Sequence, residues 1–121
     1  MARGPNDRKE RLELAYGSLH LLVLRTLVWG PTHGHGIAKS IERTSDDVFR
    51  VDHGSLYPAL QRLLQEGWIR SEWGVTENKQ RAKYYHLTPS GRKKLAAETS
   101  RWERFARAVA GVLRTADERN E

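Results

Sequence analysis

The chain has 121 residues, 38% of them hydrophobic and 30% charged, which allows one modest core and is too apolar for a disordered segment. Its 21 Lys and Arg outnumber 15 Asp and Glu, and the net charge of +6 favours an anionic partner such as nucleic acid. A basic surface without any partner is the alternative. The lack of cysteine excludes a disulfide framework, a thiolate zinc site and a cysteine nucleophile.

The N-terminal segment, residues 1–16, is rich in charged side chains, and we predict an arm that becomes helical near Arg8. It holds no apolar run of the kind that a signal peptide needs. The longest apolar stretch of the chain, Leu19–Trp29, is interrupted by polar residues and is too short to span a bilayer, which takes roughly 20 residues. We therefore expect a cytoplasmic protein without membrane contact.

Two short helices are predicted after the arm. Ser18 is expected to cap the first, whose leucines recur at helical spacing and which should stop at Gly30 and Pro31. The glycines of residues 33–36 predict a turn. A second helix is then predicted over about Gly36–Arg43.

A third helix is predicted over Ser55–Glu66, with Ser55 as its cap and Pro58 in its first turn. Its leucines form one apolar stripe, which leaves the opposite face polar. In helix-turn-helix proteins such a helix enters the major groove, where Gln pairs with adenine and Arg with guanine, while hydroxyls and the Ser55 N–H suit phosphates. A merely solvated polar face is the alternative. The residues predicted to face outward are Ser55, Tyr57, Pro58, Gln61, Arg62 and Gln65.

The pattern then changes to two strands, Trp68–Trp73 and Ala82–Leu87, joined by a polar loop, Gly74–Arg81. The basic character of the loop suits a wing that lies along DNA phosphates, and a hairpin charged only for solubility is the alternative. Because Tyr84 and Tyr85 are consecutive, they face opposite sides of the strand and one of them should be buried. The basic residues of this predicted wing are Lys79, Arg81 and Lys83.

A long C-terminal helix is predicted from Pro89 to about Arg114, with Thr88 as its N-cap and residues 115–121 as a loose tail. Its apolar residues recur in steps of three and four, as in a seam between helices. Because such a helix extends beyond so small a core, we expect a second copy of the chain to cover the seam, and packing onto its own domain is the alternative. The seam residues are Leu95, Thr99, Trp102, Ala106, Val109 and Leu113.

Three short helices, a hairpin and one long helix follow the order of a winged helix-turn-helix. The predicted fold class is therefore mainly α with a small β-hairpin (α+β). Residues 17–88 would form the DNA-binding domain, and residues 89–114 would form a long C-terminal dimerisation helix. The expected partners are double-stranded DNA and a second copy of the chain.

Three stretches of the sequence resemble the PadR family of bacterial regulators. They are GPTHGHGIAKSI (Gly30–Ile41), GSLYPALQRLLQEGWI (Gly54–Ile69) and RAKYYHLTPSGRKKL (Arg81–Leu95). The resemblance covers roughly residues 17–113, and the single C-terminal helix is similar to that of the shorter-tailed branch. It implies a homodimeric regulator, usually a repressor, that binds inverted-repeat operators and often releases DNA when a small molecule binds.

The resemblance also implies roles for individual residues. His35 departs from the family, many of whose members carry Tyr in this turn, and we expect the difference to alter packing rather than function. In some PadR-like proteins tryptophans of the long helix stack planar drugs, so Trp102 suggests a small planar effector, with plain interface packing as the alternative. By motif match, the residues implied to contact operator DNA are Ser55, Tyr57 and Pro58, with Lys83 and Tyr84 in the wing.

Other function classes have weaker support in the sequence. An enzyme is not expected, because no Ser or Thr nucleophile accompanies a His–acid pair in a recognisable motif. No metal or other cofactor is expected, since no carboxylate or thiol set completes a site with the histidines, which are His20, His33, His35, His53 and His86. A winged-helix protein-interaction module and a non-specific or single-stranded nucleic-acid binder stay as alternatives.

Overall fold

The computed structural model describes residues 12–13 and 16–119, so the helical turn predicted near Arg8 lies outside the described residues. Among these residues, no helix is both long and apolar enough to cross a membrane. In chain order the elements are β1 (Leu12–Glu13), α1 (Tyr16–Thr26), a 3-10 turn (Leu27–Trp29), β2 (Thr32–His33), α2 (Gly34–Thr44), β3 (Phe49–Arg50), α3 (His53–Gln65), β4 (Ile69–Val75), β5 (Arg81–Leu87) and α4 (Pro89–Arg119).

The core lies between α1, α2, α3 and the base of the hairpin. Val23 of α1, Ile37 of α2 and the α3 residues Leu56, Leu60 and Leu63 are fully buried. Each buried aliphatic side chain of this size contributes about 1.5–3 kcal/mol to folding. α1 contacts α2, α3 and α4, so it is the helix around which the others are arranged. The predicted leucine stripe of the third helix is therefore confirmed.

The predicted hairpin is confirmed, and its strands are longer than expected. β4 and β5 pair antiparallel from Ile69 opposite Leu87 to Val75 opposite Arg81. The loop is therefore limited to residues 76–80, and both ends of the predicted loop belong to strands. The longer strands carry the hairpin well beyond the core.

Two short strand pairings had no counterpart in the prediction. β2 adds to the other edge of β5, with His33 opposite Tyr84. β1, which falls in the predicted arm, pairs parallel with β3, with Leu12 opposite Phe49. Strands of two residues are too short to show an alternating pattern, so their pairing is decided by tertiary contacts.

The first two helices begin earlier than predicted. α1 begins at Tyr16, so Ser18 lies inside its first turn and is not the cap. α2 begins at Gly34, because the Nδ1 atom of His33 accepts a hydrogen bond from the Gly36 N–H at 3.1 Å. Histidine at the cap position thus converts the predicted turn into the first turn of a helix.

The third helix is capped by Asp52 rather than by Ser55. The Asp52 Oδ1 atom accepts the Ser55 N–H at 2.9 Å, and the helix begins at His53. Pro58 therefore lies in the second turn, not the first. Because proline has no N–H, the carbonyl of Gly54 lacks its usual helical donor there. The prediction was wrong because aspartate and serine are both good caps and lie three residues apart.

The start of α4 is as predicted. The Thr88 Oγ1 atom accepts the Gly91 N–H at 3.0 Å and donates to the Gly67 carbonyl at 2.7 Å, and Pro89 is the first helical residue. A Cβ atom at Gly91 would overlap the carbonyl oxygen of Trp68. Only glycine permits this close approach between the first turn of α4 and the start of the hairpin.

The far end of α4 extends past the predicted boundary. The helix has 31 residues and ends at Arg119, so residues 115–119, predicted as part of a loose tail, are helical. At 1.5 Å per residue it is roughly 46 Å long, which exceeds the depth of the core. α4 packs against α1, and its residue Leu95 packs against the core.

Glu98 lies at the centre of an ion-pair network on α4. Its Oε2 atom is 2.9 Å from Lys94 Nζ and 3.1 Å from an Arg101 guanidinium nitrogen. The hydrogen bond from Lys94 is the main cause that lowers the pKa of Glu98; desolvation opposes it, and Coulombic attraction to Lys94 and Arg101 adds to the lowering. Lys94 also lies 4.6 Å from the ring centroid of Trp68, so the network ties α4 to the root of the hairpin.

We predict that Glu98→Gln lowers the free energy of unfolding by about 0.5 kcal/mol at neutral pH. A lowered carboxylate pKa contributes stability that is present above the unfolded-state value and is lost as pH falls through the folded-state value. The difference from wild type should therefore vanish in acid. Urea unfolding at neutral and acidic pH measures it, with Glu103→Gln as the control for removing an exposed acidic charge from α4. A pH-independent difference would contradict the ion-pair explanation.

Candidate nucleic-acid interface

α3 presents a polar face to solvent, and every residue predicted to face outward from it is exposed. Because its leucines are buried, helical geometry places Pro58, Gln61 and Gln65 at the centre of the outward face. Tyr57 lies at one edge of this face and Arg62 at the other. The edge with Tyr57 borders the wing, and the edge with Arg62 borders α1 and α4.

The N-terminus of α3 has fewer free hydrogen-bond donors for a phosphate than the sequence suggested. The Ser55 N–H, expected to suit a phosphate, is donated to Asp52 at 2.9 Å. The Ser55 hydroxyl also donates to the other oxygen of Asp52 at 3.3 Å. The expectation of a free Ser55 N–H is therefore wrong, because the cap aspartate occupies it and adds a negative charge beside it.

Arg62 lies on the side of α3 that faces α1 and α4. Its Nε atom is 3.2 Å from Glu66 Oε2, one helical turn further on. The side chain lines a cleft with Leu21 of α1 and Lys94 of α4. The structure thus separates Arg62 from the basic residues of the predicted wing, none of which lines this cleft.

The wing is the part of β4 and β5 that extends past the core. Side chains alternate along a strand, so Trp73, Arg81 and Lys83 share the face on which Tyr85 is buried. We call this the inner face of the wing. The Arg81 guanidinium carbon lies 4.7 Å and the Lys83 Nζ atom 5.8 Å from the Trp73 ring centroid.

The wing tip is a compact, hydrogen-bonded loop. The Thr76 N–H donates to the Gln80 carbonyl at 2.8 Å, and the Lys79 N–H donates to the Thr76 carbonyl at 2.8 Å. Lys79 has φ of +63°, a left-handed conformation that turns the chain sharply. Its exposed side chain is therefore carried at the end of the wing.

The two consecutive tyrosines have different places, as predicted. Tyr85 is buried in the core, and Tyr84 lies on the outer face of the wing. The Tyr84 hydroxyl donates to the Val75 carbonyl at 3.3 Å, and its ring covers Gly74, where a Cβ atom would come within 2.7 Å. Tyr84 is thus bonded to its own wing, on the side opposite the inner face.

A groove of about 590 Å³ separates α3 from the inner face of the wing. It brings together four of the predicted contact residues, Tyr57, Gln61, Arg81 and Lys83. Among the residues that the structure describes, none of those lining it is acidic. The groove therefore combines a helix edge with amide and hydroxyl groups and a strand with two fixed cations.

His33 and His35 also line this groove, and the sequence analysis did not assign them to it. The His33 and His35 rings are 6.4 Å apart, and His53 lies 6.4 Å from His35 and 5.6 Å from Tyr57. Tyr57 approaches Gly34 so closely that a Cβ atom there would lie 2.7 Å from its hydroxyl oxygen. The repeated His-Gly pattern was the available signal. Within residues 12–13 and 16–119, no three His, Asp or Glu side chains converge to hold a metal ion.

The outer half of α4 carries a solvent-exposed apolar stripe. Thr99 is partly buried, Ala106 is exposed, and Leu95 packs in its own domain, so only part of the predicted seam is uncovered. The prediction missed Phe105 and Val112, which continue the steps of three and four. The large apolar residues of the stripe are Trp102 (49% exposed), Phe105 (60%), Val109 (42%), Val112 (69%) and Leu113 (62%).

Comparisons of the sequence and of the structure with known proteins both point to PadR-like transcriptional regulators. Residues 23–97 match the family model described as "Transcriptional regulator PadR-like family". The chain is 31% identical over 99 residues to Transcriptional regulator Rv3488 of Mycobacterium tuberculosis, across 82% of this chain and 89% of that protein. The matched ranges include α2, α3 and the whole wing.

Two solved structures share the fold of this chain, and each is 31% identical to it in sequence. A transcriptional regulator from Clostridium thermocellum superimposes with a TM-score of 0.70 and 31% identity, over 77% of this chain and 90% of that one. A PadR family transcriptional regulator from Eggerthella lenta gives a TM-score of 0.67 and 31% identity, over 80% and 82% of the two chains.

We predict that His33→Ala lowers the free energy of unfolding by about 1 kcal/mol, because it removes the side-chain acceptor at the N-cap of α2. His33→Asn should restore most of the loss, since asparagine supplies an acceptor at the same position. Urea unfolding measures both, with His35→Ala as the exposed control. Equal losses for His33→Ala and His33→Asn would show that the cap is not the cause.

Proposed function

This chain belongs to the transcriptional regulator PadR-like family, and on that basis we propose that it represses transcription by binding an inverted-repeat operator as a homodimer. The observation that carries the proposal is the acid-free groove between α3 and the wing. Duplex DNA presents a line of phosphates beside an open major groove. A helix with a polar face next to two cations suits both features.

Gln61 is the residue we assign to base recognition. It lies near the centre of the outward face of α3 and also lines the groove. Its amide can pair with adenine in the major groove. Tyr57, Arg81 and Lys83 would then face the sugar-phosphate backbone, with Lys79 reaching further along the duplex from the wing tip. Arg62 is a weaker candidate because Glu66 already holds its guanidinium.

The operator preference is tested with a duplex taken from upstream of the protein's own gene and a scrambled duplex of the same composition. A regulator that reads a sequence should prefer the first by about 10³-fold or more. Gln61→Ala should reduce that preference while leaving binding to the scrambled duplex unchanged. Equal binding of the wild type to both would indicate non-specific binding, and absence of binding to either would favour a protein-interaction module.

We predict that Lys79→Ala weakens binding to both duplexes to the same extent. Each phosphate contact that is removed should reduce the steepness of the plot of log K against log salt by roughly 0.9, so loss of Lys79 from both protomers of a dimer should reduce it by roughly 1.8. Fluorescence anisotropy over a salt series measures the slope. The control is Arg70→Ala, which removes a cation held 3.5 Å from Glu72 on the outer face of the wing. An unchanged slope for Lys79→Ala would remove the wing tip from the contact surface.

A homodimer is the assembly that would cover the stripe of α4. Trp102, Phe105, Val109 and Val112 recur in steps of three, four and three, which is the spacing of a helix–helix seam. Their large exposed fractions show that the chain's own domain does not cover them. Two-fold pairing through α4 would also hold two α3 helices at a separation near one turn of DNA, roughly 34 Å.

We predict that Val109→Glu shifts the protein from dimer to monomer at micromolar concentration, because it places a charge at the centre of the seam. Sedimentation velocity measures the mass. Ser100→Glu is the matched control, since it adds the same charge to an exposed position on the opposite side of α4. Identical masses for the two variants would show that the stripe is not the interface.

A planar aromatic effector is supported by the groove between α1 and α4. This groove, of about 620 Å³, is lined by Gly17, Leu21, Trp102 and Phe105 among others. The Trp102 and Phe105 rings lie 5.7 Å apart and offer an aromatic surface. Ligand bound here would contact the dimer helix, and a change in α4 pairing would alter the separation of the two α3 helices and release the operator.

We predict that ethidium, a planar cation, quenches the tryptophan fluorescence of the wild-type protein in the absence of DNA. Trp102→Leu is the matched control, because it keeps Trp29, Trp68 and Trp73 and removes the fluorophore in the groove. Quenching should be lost in that variant. Equal quenching of the two proteins, or none in the wild type, would argue against a planar ligand in this groove.

A further inference from the structure

Trp73 is a large aromatic residue exposed on the inner face of the wing. It is 59% exposed, although burial of its ring would stabilise the fold far more than exposure does. The ring is not simply open to solvent, since Arg81 and Lys83 both lie against it, 4.7 Å and 5.8 Å from its centroid. One indole therefore holds both strand cations of the groove.

The strand register explains why these three side chains meet. Trp73 is directly opposite Lys83, and Arg81 is its diagonal neighbour across the same strand pair. Diagonal neighbours are within reach when one side chain is aromatic and the other is long. Because side chains two residues apart point to the same side, the three side chains share the inner face of the wing, and two of them, Arg81 and Lys83, line the groove beside α3.

We infer that Trp73 is a positioning residue for DNA binding: it orders the side chains of Arg81 and Lys83 before DNA binds. This inference rests on the proposed function. Arginine and lysine side chains are flexible, and a binding site loses affinity when such side chains must be ordered on binding. Contact with an aromatic face restricts them while their N–H groups can still donate. The result is a pair of cations aimed into the groove that contains Tyr57 and Gln61.

Two other roles for Trp73 are less consistent with the cluster. Base stacking needs an unpaired base, which duplex DNA does not offer. A protein-docking patch would need an open apolar surface, whereas two cations lie against this ring. In both roles Trp73 itself would contact the binding partner, and its effect on binding would not depend on Arg81 and Lys83.

The test is a coupling experiment on a fluorescein-labelled, mixed-sequence duplex of about 30 base pairs, long enough for two half-sites. Trp73→Leu and Trp73→Phe are each made in the wild type and in an Arg81→Ala, Lys83→Ala background. In the wild type, Trp73→Leu should weaken binding roughly 3- to 10-fold with an unchanged salt slope, because both charges remain. Trp73→Phe should recover most of the affinity, since it keeps an aromatic face.

In the background without Arg81 and Lys83, Trp73→Leu should change binding by less than about 2-fold. An equal loss in both backgrounds would show that Trp73 contacts DNA itself, and no loss in either would remove it from binding; each result overturns the inference. Thermal unfolding of the Leu and Phe variants separates these results from misfolding, because a folding defect would lower affinity in both backgrounds. If the wild type binds no duplex, the proposed function fails rather than the role of Trp73.

Discussion

Thr88 joins three parts of this molecule, the end of α3, the root of the wing and the start of α4. Its hydroxyl donates to the carbonyl of Gly67, just after α3, and accepts the N–H of Gly91 at the start of α4, while its N–H donates to the carbonyl of Trp68 at the root of the wing. Gly91 approaches Trp68 so closely that a side chain at this position would overlap the Trp68 carbonyl. The directions in which the wing and α4 leave the core are therefore set at one point.

This junction gives a physical route between the two candidate surfaces. Lys94 of α4 lies over Trp68, and α4 packs along α1, which in turn packs against α3. A change in how two α4 helices pair would thus be transmitted through packed side chains rather than through a flexible linker. The packed helices of a core move together as a rigid body, because a close-packed core has few voids that could absorb a displacement.

Much of the fold follows from local rules, such as helix capping and the spacing of apolar residues, that can be recognised in the sequence. The Thr88-Pro89 pair predicts the start of α4, because a threonine cap and a first-turn proline satisfy the helix terminus without help from elsewhere. The leucine spacing of α3 predicts its buried face. The cap of α3 was misassigned to Ser55 because Asp52 satisfies the same rule three residues earlier. Phe105 and Val112 were missed because more than one seam can be drawn through the same run of apolar residues.

The sequence by itself determined the order of the four helices and the hairpin, the inward face of α3, and the basic character of the wing, because these depend on periodicity and on the kind of residue at each position. Only the tertiary structure decided which candidates share a groove: Gln61 faces the wing, whereas Arg62, its neighbour in sequence, pairs with Glu66 on the other side. It likewise decided the contact of Trp73 with two cations. The physical reason is that consecutive helical residues diverge by about 100°, and only packing determines which of them meets another element.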